Sequence, residues 1–337
     1  MADAFLFRLP VELSEDILAL ACNADGGLTG SRLSLVCRAF RAFCVGTGVD
    51  LRCAYVRRVE RMVVFLEMLK KRERSARRVK SLMLVERGRV ERDETLGMDV
   101  IADVVNAILA AISPEHLQVL SVYLPFWQHA SSAPAVIPAD FPELLHLSIS
   151  GPYNTTSFST SRIAPRLTRL HIHKFDELPP DFGAHLSRIS PRLIHFKISN
   201  THSMKAEHAQ ALKAFRLSKA SSSDPFPPTS DAFPPTLRQI AIEFAPLYHP
   251  APTFVQHAAL NYYAAFDWHA SIHAINSVLP VPQNASSVDF DASLVILPVP
   301  QRRTASDLAG DEERDFEAFK ADWECYSSRD TGPASEQ

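Results

Sequence analysis

Apolar positions along this chain follow two rhythms, one helical and one of period two, and the change between them divides it into zones. Residues 1–48 are helical in spacing. Leu13, Ile17, Leu18 and Ala21 recur behind Pro10, which is placed to open a helix at its first position, and Glu12, Glu15 and Asp16 sit near the positive end of its dipole. A Gly-rich break, NADGGLTG, precedes a second helix that Ser31 can cap and that carries Leu33, Val36, Cys37 and Phe40 on one side. A helical connector is predicted over 49–78, with Val59, Val63, Leu66 and Leu69 in one stripe and a basic end.

From residue 79 a motif repeats. PELLHLSI at 142, PRLTRLHI at 165, PRLIHFKI at 191 and PTLRQIAI at 235 share an L-x-x-L-x-L pattern, and weaker copies stand at 78 and 116. The tail of each copy alternates with period two, the mark of a strand burying one face. Helical stretches are predicted between strands at 98–112, 204–217 and 254–275. Strand, crossover helix and strand in succession require parallel pairing. The expected fold is therefore α/β: a curved parallel sheet with outer helices, an irregular leucine-rich-repeat-like solenoid over 79–300. A loop falls at 218–235 and the last strand at 293–300. The asparagine or cysteine that usually follows each strand is replaced by Pro125, Pro152, Phe175, Thr201 and Ala245. An acidic tail, 301–337, contains a predicted helix at 311–326 that caps the array.

Charge alters this picture locally. The net charge is −3, but Arg57–Glu94 holds thirteen Lys/Arg against seven Asp/Glu, and Ser306–Gln337 three against ten. The overall balance gives no attraction to nucleic acid; the basic run can serve as a nucleic-acid patch or a nuclear localisation signal, but a run of this kind is more often a solvated helix face. Five cysteines are an odd number and read as buried thiols in a reducing compartment. No secretory signal or membrane-spanning stretch is evident, so a cytoplasmic and/or nuclear location is expected.

Catalytic motifs are scarce. There is no G-x-S-x-G elbow, Walker loop or dinucleotide loop, and only 11 glycines are available to cradle phosphates. Among 13 histidines, His269 and His273 are four apart, with His257 earlier, but no third ligand can be named. No metal, cofactor or catalytic residue is assigned. More informative are the residues that alternate with the core positions and project from the opposite, concave face. Tyr123, His146, Arg169, His171, His173, His195 and Lys197 form a polar, basic middle to this row, which reads either as a solvated inner face or as a surface for a target protein with an acidic or phosphorylated segment.

The N-terminal stretch LPVELSEDIL…SRLSLVCRAFRAF resembles an F-box, whose pattern opens on L-P-x-E-[LI] and closes on L-x-x-V-C-[KR]-x-[WF]. The matching residues are Leu9, Pro10, Glu12, Leu13, Ile17, Leu18, Leu33, Val36, Cys37, Arg38 and Phe40. An F-box followed by degenerate leucine-rich repeats is similar to members of large fungal F-box families. The resemblance implies that Leu9, Pro10, Glu12, Leu13, Ile17, Leu18, Leu33, Val36, Cys37 and Phe40 bind a Skp-family adaptor. Through it the chain would join a cullin–RING ubiquitin ligase as a non-catalytic receptor.

Overall fold

The L-x-x-L-x-L copies become the strands of one sheet. A computed structural model describes residues 9–23, 28–87, 95–124, 140–151, 164–173, 182–201, 209–215, 233–245, 248–249, 270, 273, 294–296, 303–304 and 308–328. Its strands are β1 (Cys53–Arg57), β2 (Ser81–Val85), β3 (Val119–Tyr123), β4 (His146–Ser150), β5 (Arg169–His173), β6 (His195–Thr201), β7 (Gln239–Phe244), β8 (Tyr248–His249), β9 (Leu294–Ile296) and β10 (Arg303–Thr304). Eight of them form a parallel sheet in the order β1-β2-β3-β4-β5-β6-β7-β9, and β8 pairs with β10 alone.

Register follows the pattern. Leu82, Leu120, Leu147, Leu170, Phe196 and Ile240 are successive Cα partners, and Leu84, Val122, Ile149, Ile172, Ile198 and Ile242 form a second column. The first leucine of the direct copies, at 144, 167, 193 and 237, is fully buried beneath them. Because side chains alternate along a strand, one shift of register would turn both columns to the other face.

The helices are α1 (Val11–Asn23), α2 (Leu28–Val36), α3 (Arg38–Thr47), α4 (Val59–Lys70), α5 (Thr95–Ala111), α6 (Phe182–Ile189), α7 (209–215) and α8 (Leu308–Ser328). Buried side chains of α4 to α7 join the leucine columns in one core. The α/β class and the parallel sheet thus agree with expectation. Most of the loop at 218–235 and of the helix at 254–275 lies outside the described residues, including His257 and His269, while His273 is exposed.

Four local features differ from expectation. The second N-terminal helix is broken at Cys37, which has extended φ/ψ and accepts the Phe40 N–H at Sγ, capping α3. Three helices therefore replace two. The connector begins with an unanticipated strand, since CAYVR lacks the repeat pattern yet pairs with β2 along its whole length. Val63 is 41% exposed, and the buried stripe of α4 is Met62, Phe65, Leu66 and Leu69. Of the five thiols, Cys37 and Cys325 are exposed.

The basic run is partly structural. The Arg72 guanidinium donates to both oxygens of Asp50 at 2.7 Å and to the Cys44 carbonyl at 3.3 Å. Arg77 donates to the carbonyls of Lys70, Arg72 and Ala111, closing the ends of α4 and α5 together. Beside the Arg72 pair, Gly48 has φ +73°, and a Cβ there would meet the Ala76 carbonyl at 2.2 Å. Helices α1–α3 are thereby locked against the start of the sheet. Arg72→Met leaves Asp50 buried and unpaired, with an expected loss of about 3–5 kcal/mol. Denaturant titration reads the loss; an unchanged midpoint shows that the pair does not hold this junction.

Candidate functional site

Two surfaces contain the residues singled out from the sequence. The first is the three-helix unit. Pro10 immediately precedes α1, and its carbonyl accepts the Ser14 N–H at 3.1 Å. Ser14, Leu18, Ala19 and Cys22 turn inward; Leu18 and Ala19 pack with Cys44, Val49, Leu33, Phe40 and Phe43. The outward side is apolar as well. Val11, Leu13, Ile17 and Leu20 are 53%, 51%, 45% and 60% exposed. Leu35 and Val36 at the end of α2 and Val45 on α3 are also exposed.

The structure therefore divides the expected adaptor-binding residues. Pro10, Glu12, Leu13, Ile17, Val36 and Cys37 are exposed and Leu9 is half-buried, all available to a partner. Leu18 is buried, and Leu33 and Phe40 pack on the same small core. Those three shape the unit, since one side chain cannot fill its own core and a partner's groove together. Val11, Leu20, Leu35 and Val45 were not singled out, although the i, i+4, i+7 spacing of Leu13, Ile17 and Leu20 is visible in the sequence.

The second surface is the inner face of the sheet, opposite α4–α7. A terminal cap was expected from the acidic tail, yet α8 lies across this face. Phe316, Phe319 and Trp323, at i, i+3 and i+7, are 2%, 1% and 2% exposed against Cys53, Met83, Val85, Val119 and Tyr123. Polar contacts fix the helix at both ends. Arg87 donates to both Glu313 oxygens and sits over the Phe316 ring. Asn200, with φ +55° at a bulge in β6, donates to Asp315 at 2.6 Å. Arg169 donates to the Tyr326 hydroxyl at 2.7 Å, and His146 stacks on the Tyr326 ring with centroids 4.2 Å apart. The helix thus runs against the strand direction, its start at strand C-termini and its end at strand N-termini.

The expected target-binding residues consequently have different fates. Tyr123 is 5% exposed between Phe316 and Phe319. Burial pushes its hydroxyl pKa well up. His173 is also buried, and His171 lies beneath Phe319. His146, Arg169, His195 and Lys197 still line open space beside the helix. Sequence reading alone missed Asp322 and Tyr326, which border that space. The aromatic stripe F-x-x-F-x-x-x-W was legible, but not the surface that receives it.

One cluster imitates a catalytic triad. His171 Nε2 lies 2.6 Å from Ser199 Oγ, and His171 Nδ1 lies 3.7 Å from Asp322 Oδ2. The imitation ends there. The carboxylate is beyond hydrogen-bond distance, Ser199 is 3% exposed, and its hydroxyl is shared with His173 at 2.8 Å. Burial, with Lys197 nearby, lowers the His171 pKa to about 3, so it is a poor base at neutral pH. The cluster is a hydrogen-bonded floor for α8.

A pH dependence follows. A folded-state value below the ordinary 6.5 leaves stability intact above pH 6.5 and removes it as pH falls toward 3. His195 is lowered too, by burial and Arg169, and acts in the same direction, whereas Asp322, raised by burial, acts oppositely. One histidine contributes at most about 1.4 kcal/mol per pH unit. Thermal midpoints between pH 7.5 and 4.5 should fall more in the wild type than in His171→Gln; equal falls contradict a buried neutral His171.

Among the described residues no helix is long and apolar enough to cross a membrane. No family model, curated protein or solved structure matches this chain.

Proposed function

We propose that this chain is a non-catalytic substrate receptor of an SCF-type cullin–RING ubiquitin ligase. In this reading α1–α3 are an F-box that docks on a Skp-family adaptor, and the parallel sheet is an irregular leucine-rich-repeat-like solenoid that presents a target protein. The observation that carries it is the row of exposed large apolar residues on α1, in a unit whose own core is filled by other side chains. A small helical unit gains nothing from exposing such a row to water. A partner's groove, read by anchors at i, i+4 and i+7, does explain it.

Magnitudes indicate how much of the unit must engage. Val11, Leu13, Ile17 and Leu20 are about half exposed, so burying the remainder gives roughly half of about 1.5–3 kcal/mol each. That total, about 3–6 kcal/mol, only reaches the low end of the association cost of about 4–15 kcal/mol. Leu35, Val36 and Val45, also exposed, would add to the buried area if they join the interface. Catalysis would come from proximity, by holding a target near the ubiquitin-loaded enzyme.

A protein-interaction scaffold outside a ligase is the second reading. It is favoured by α8, which covers much of the face a receptor would keep for its target. Adaptor capture without cullin would select it. For the first reading, Leu13→Asp with Ile17→Asp should abolish capture of a purified Skp-family adaptor while leaving circular dichroism unchanged, since both positions face water. Retained capture contradicts docking through α1.

A further inference from the structure

The inner face is not sealed from end to end. Where β4–β7 begin, two rungs of the sheet and the last turns of α8 border a half-open cavity of about 200 Å³. His146, Arg169 and His195 come from one rung and Lys197 from the next, while Asp322 and Tyr326 close the helix side. Arg169 is held ready. Its guanidinium donates to the Tyr326 hydroxyl and lies 5.1 Å from that ring's centroid, and among the described residues it forms no ion pair. A neutral phenol orients this cation without neutralising it.

Among the described residues Lys197 has only a loose counter-ion, Glu243 at 3.5 Å, and both side chains are more than one-third exposed. An exposed pair of that length contributes little and exchanges readily. Asp322 lies close enough for Arg169 and Lys197 to draw its pKa down, but it pairs with neither, and burial raises it on balance. Two cations thus face the gap, with a carboxylate at its rim that pairs with neither of them. The helix beside it is anchored by three fully buried aromatic side chains, and the volume of the space suits a compact group.

We propose that this cavity binds a small oxyanion, a phosphate or carboxylate group carried on a small molecule, held between Arg169 and Lys197. Charge-assisted donors of this kind are the strong binders of such groups, and an arginine supplies two parallel N–H donors. His146 and His195 add polar walls, and the Asp322 carboxylate sets the affinity by opposing the incoming charge. The site does not depend on whether α1–α3 dock on an adaptor.

Calorimetric titration of the whole chain with inorganic phosphate, and separately with succinate, in chloride of matched ionic strength tests this. Saturable binding of at least one anion is expected. It should weaken about tenfold or more in Arg169→Ala and in Lys197→Ala, the loss of one charge-assisted contact. It should tighten in Asp322→Asn, an effect that non-specific anion binding does not produce. Preference for phosphate or succinate identifies which group the natural ligand carries. Should Arg169→Ala unfold, Arg169→Lys keeps the charge and Lys197→Ala stands alone. Failure of both anions to saturate in wild type and Asp322→Asn, or unchanged affinity in Lys197→Ala, overturns the proposal.

Discussion

Parallel pairing in one register is the constraint on which the rest of this molecule depends. Once Leu82, Leu120, Leu147, Leu170 and Phe196 stack as partners, every intervening residue is delivered to the other face. That face is graded. It is apolar at β1–β3, where Met83, Val85 and Val119 are buried, and polar at β5–β7, where Arg169, His171, His195 and Lys197 stand. The aromatic stripe of α8 settles on the apolar part, and its acidic and phenolic side chains reach the polar part. One helix thus covers the apolar part of the face and leaves a lined gap beside the polar part.

The junction at the start of the sheet uses different physics. An ion pair as enclosed as Arg72–Asp50, with side chains 6% and 7% exposed, recovers its desolvation cost only through good geometry. The two parallel bonds and a third to the Cys44 carbonyl supply that geometry. Close approach of Gly48 to Ala76 leaves no room for a side chain. Whatever binds α1–α3 is therefore held at a set position relative to the sheet. Glu86 adds a second fixed point, accepting the Val59 N–H at 2.7 Å and so closing the start of α4.

The sheet was legible in the sequence because its signal is local. L-x-x-L-x-L encodes both a buried column and the alternation that identifies a strand. β1 escaped because CAYVR carries no repeat and becomes a strand only by pairing with β2. The division of α1 into an inner side, Leu18 and Ala19, and an outer side, Leu13 and Ile17, was not separable by spacing, since both are apolar. The inner-face row was named correctly as positions opposite the core. Its covering by α8 was hidden, because a stripe of Phe316, Phe319 and Trp323 specifies an apolar partner surface without specifying which one. Tyr326 and Asp322 entered the site with that helix.

The central claim is that α1–α3 present their outer apolar row to an adaptor groove. Hydrogen exchange of the whole chain, alone and mixed with a purified Skp-family adaptor, addresses it most directly. Docking should slow exchange across residues 9–47, with 1:1 co-elution, while the strands of the sheet keep their original rates. No co-elution, with unchanged exchange in residues 9–47, contradicts the F-box reading and leaves the exposed row of α1 to a different partner.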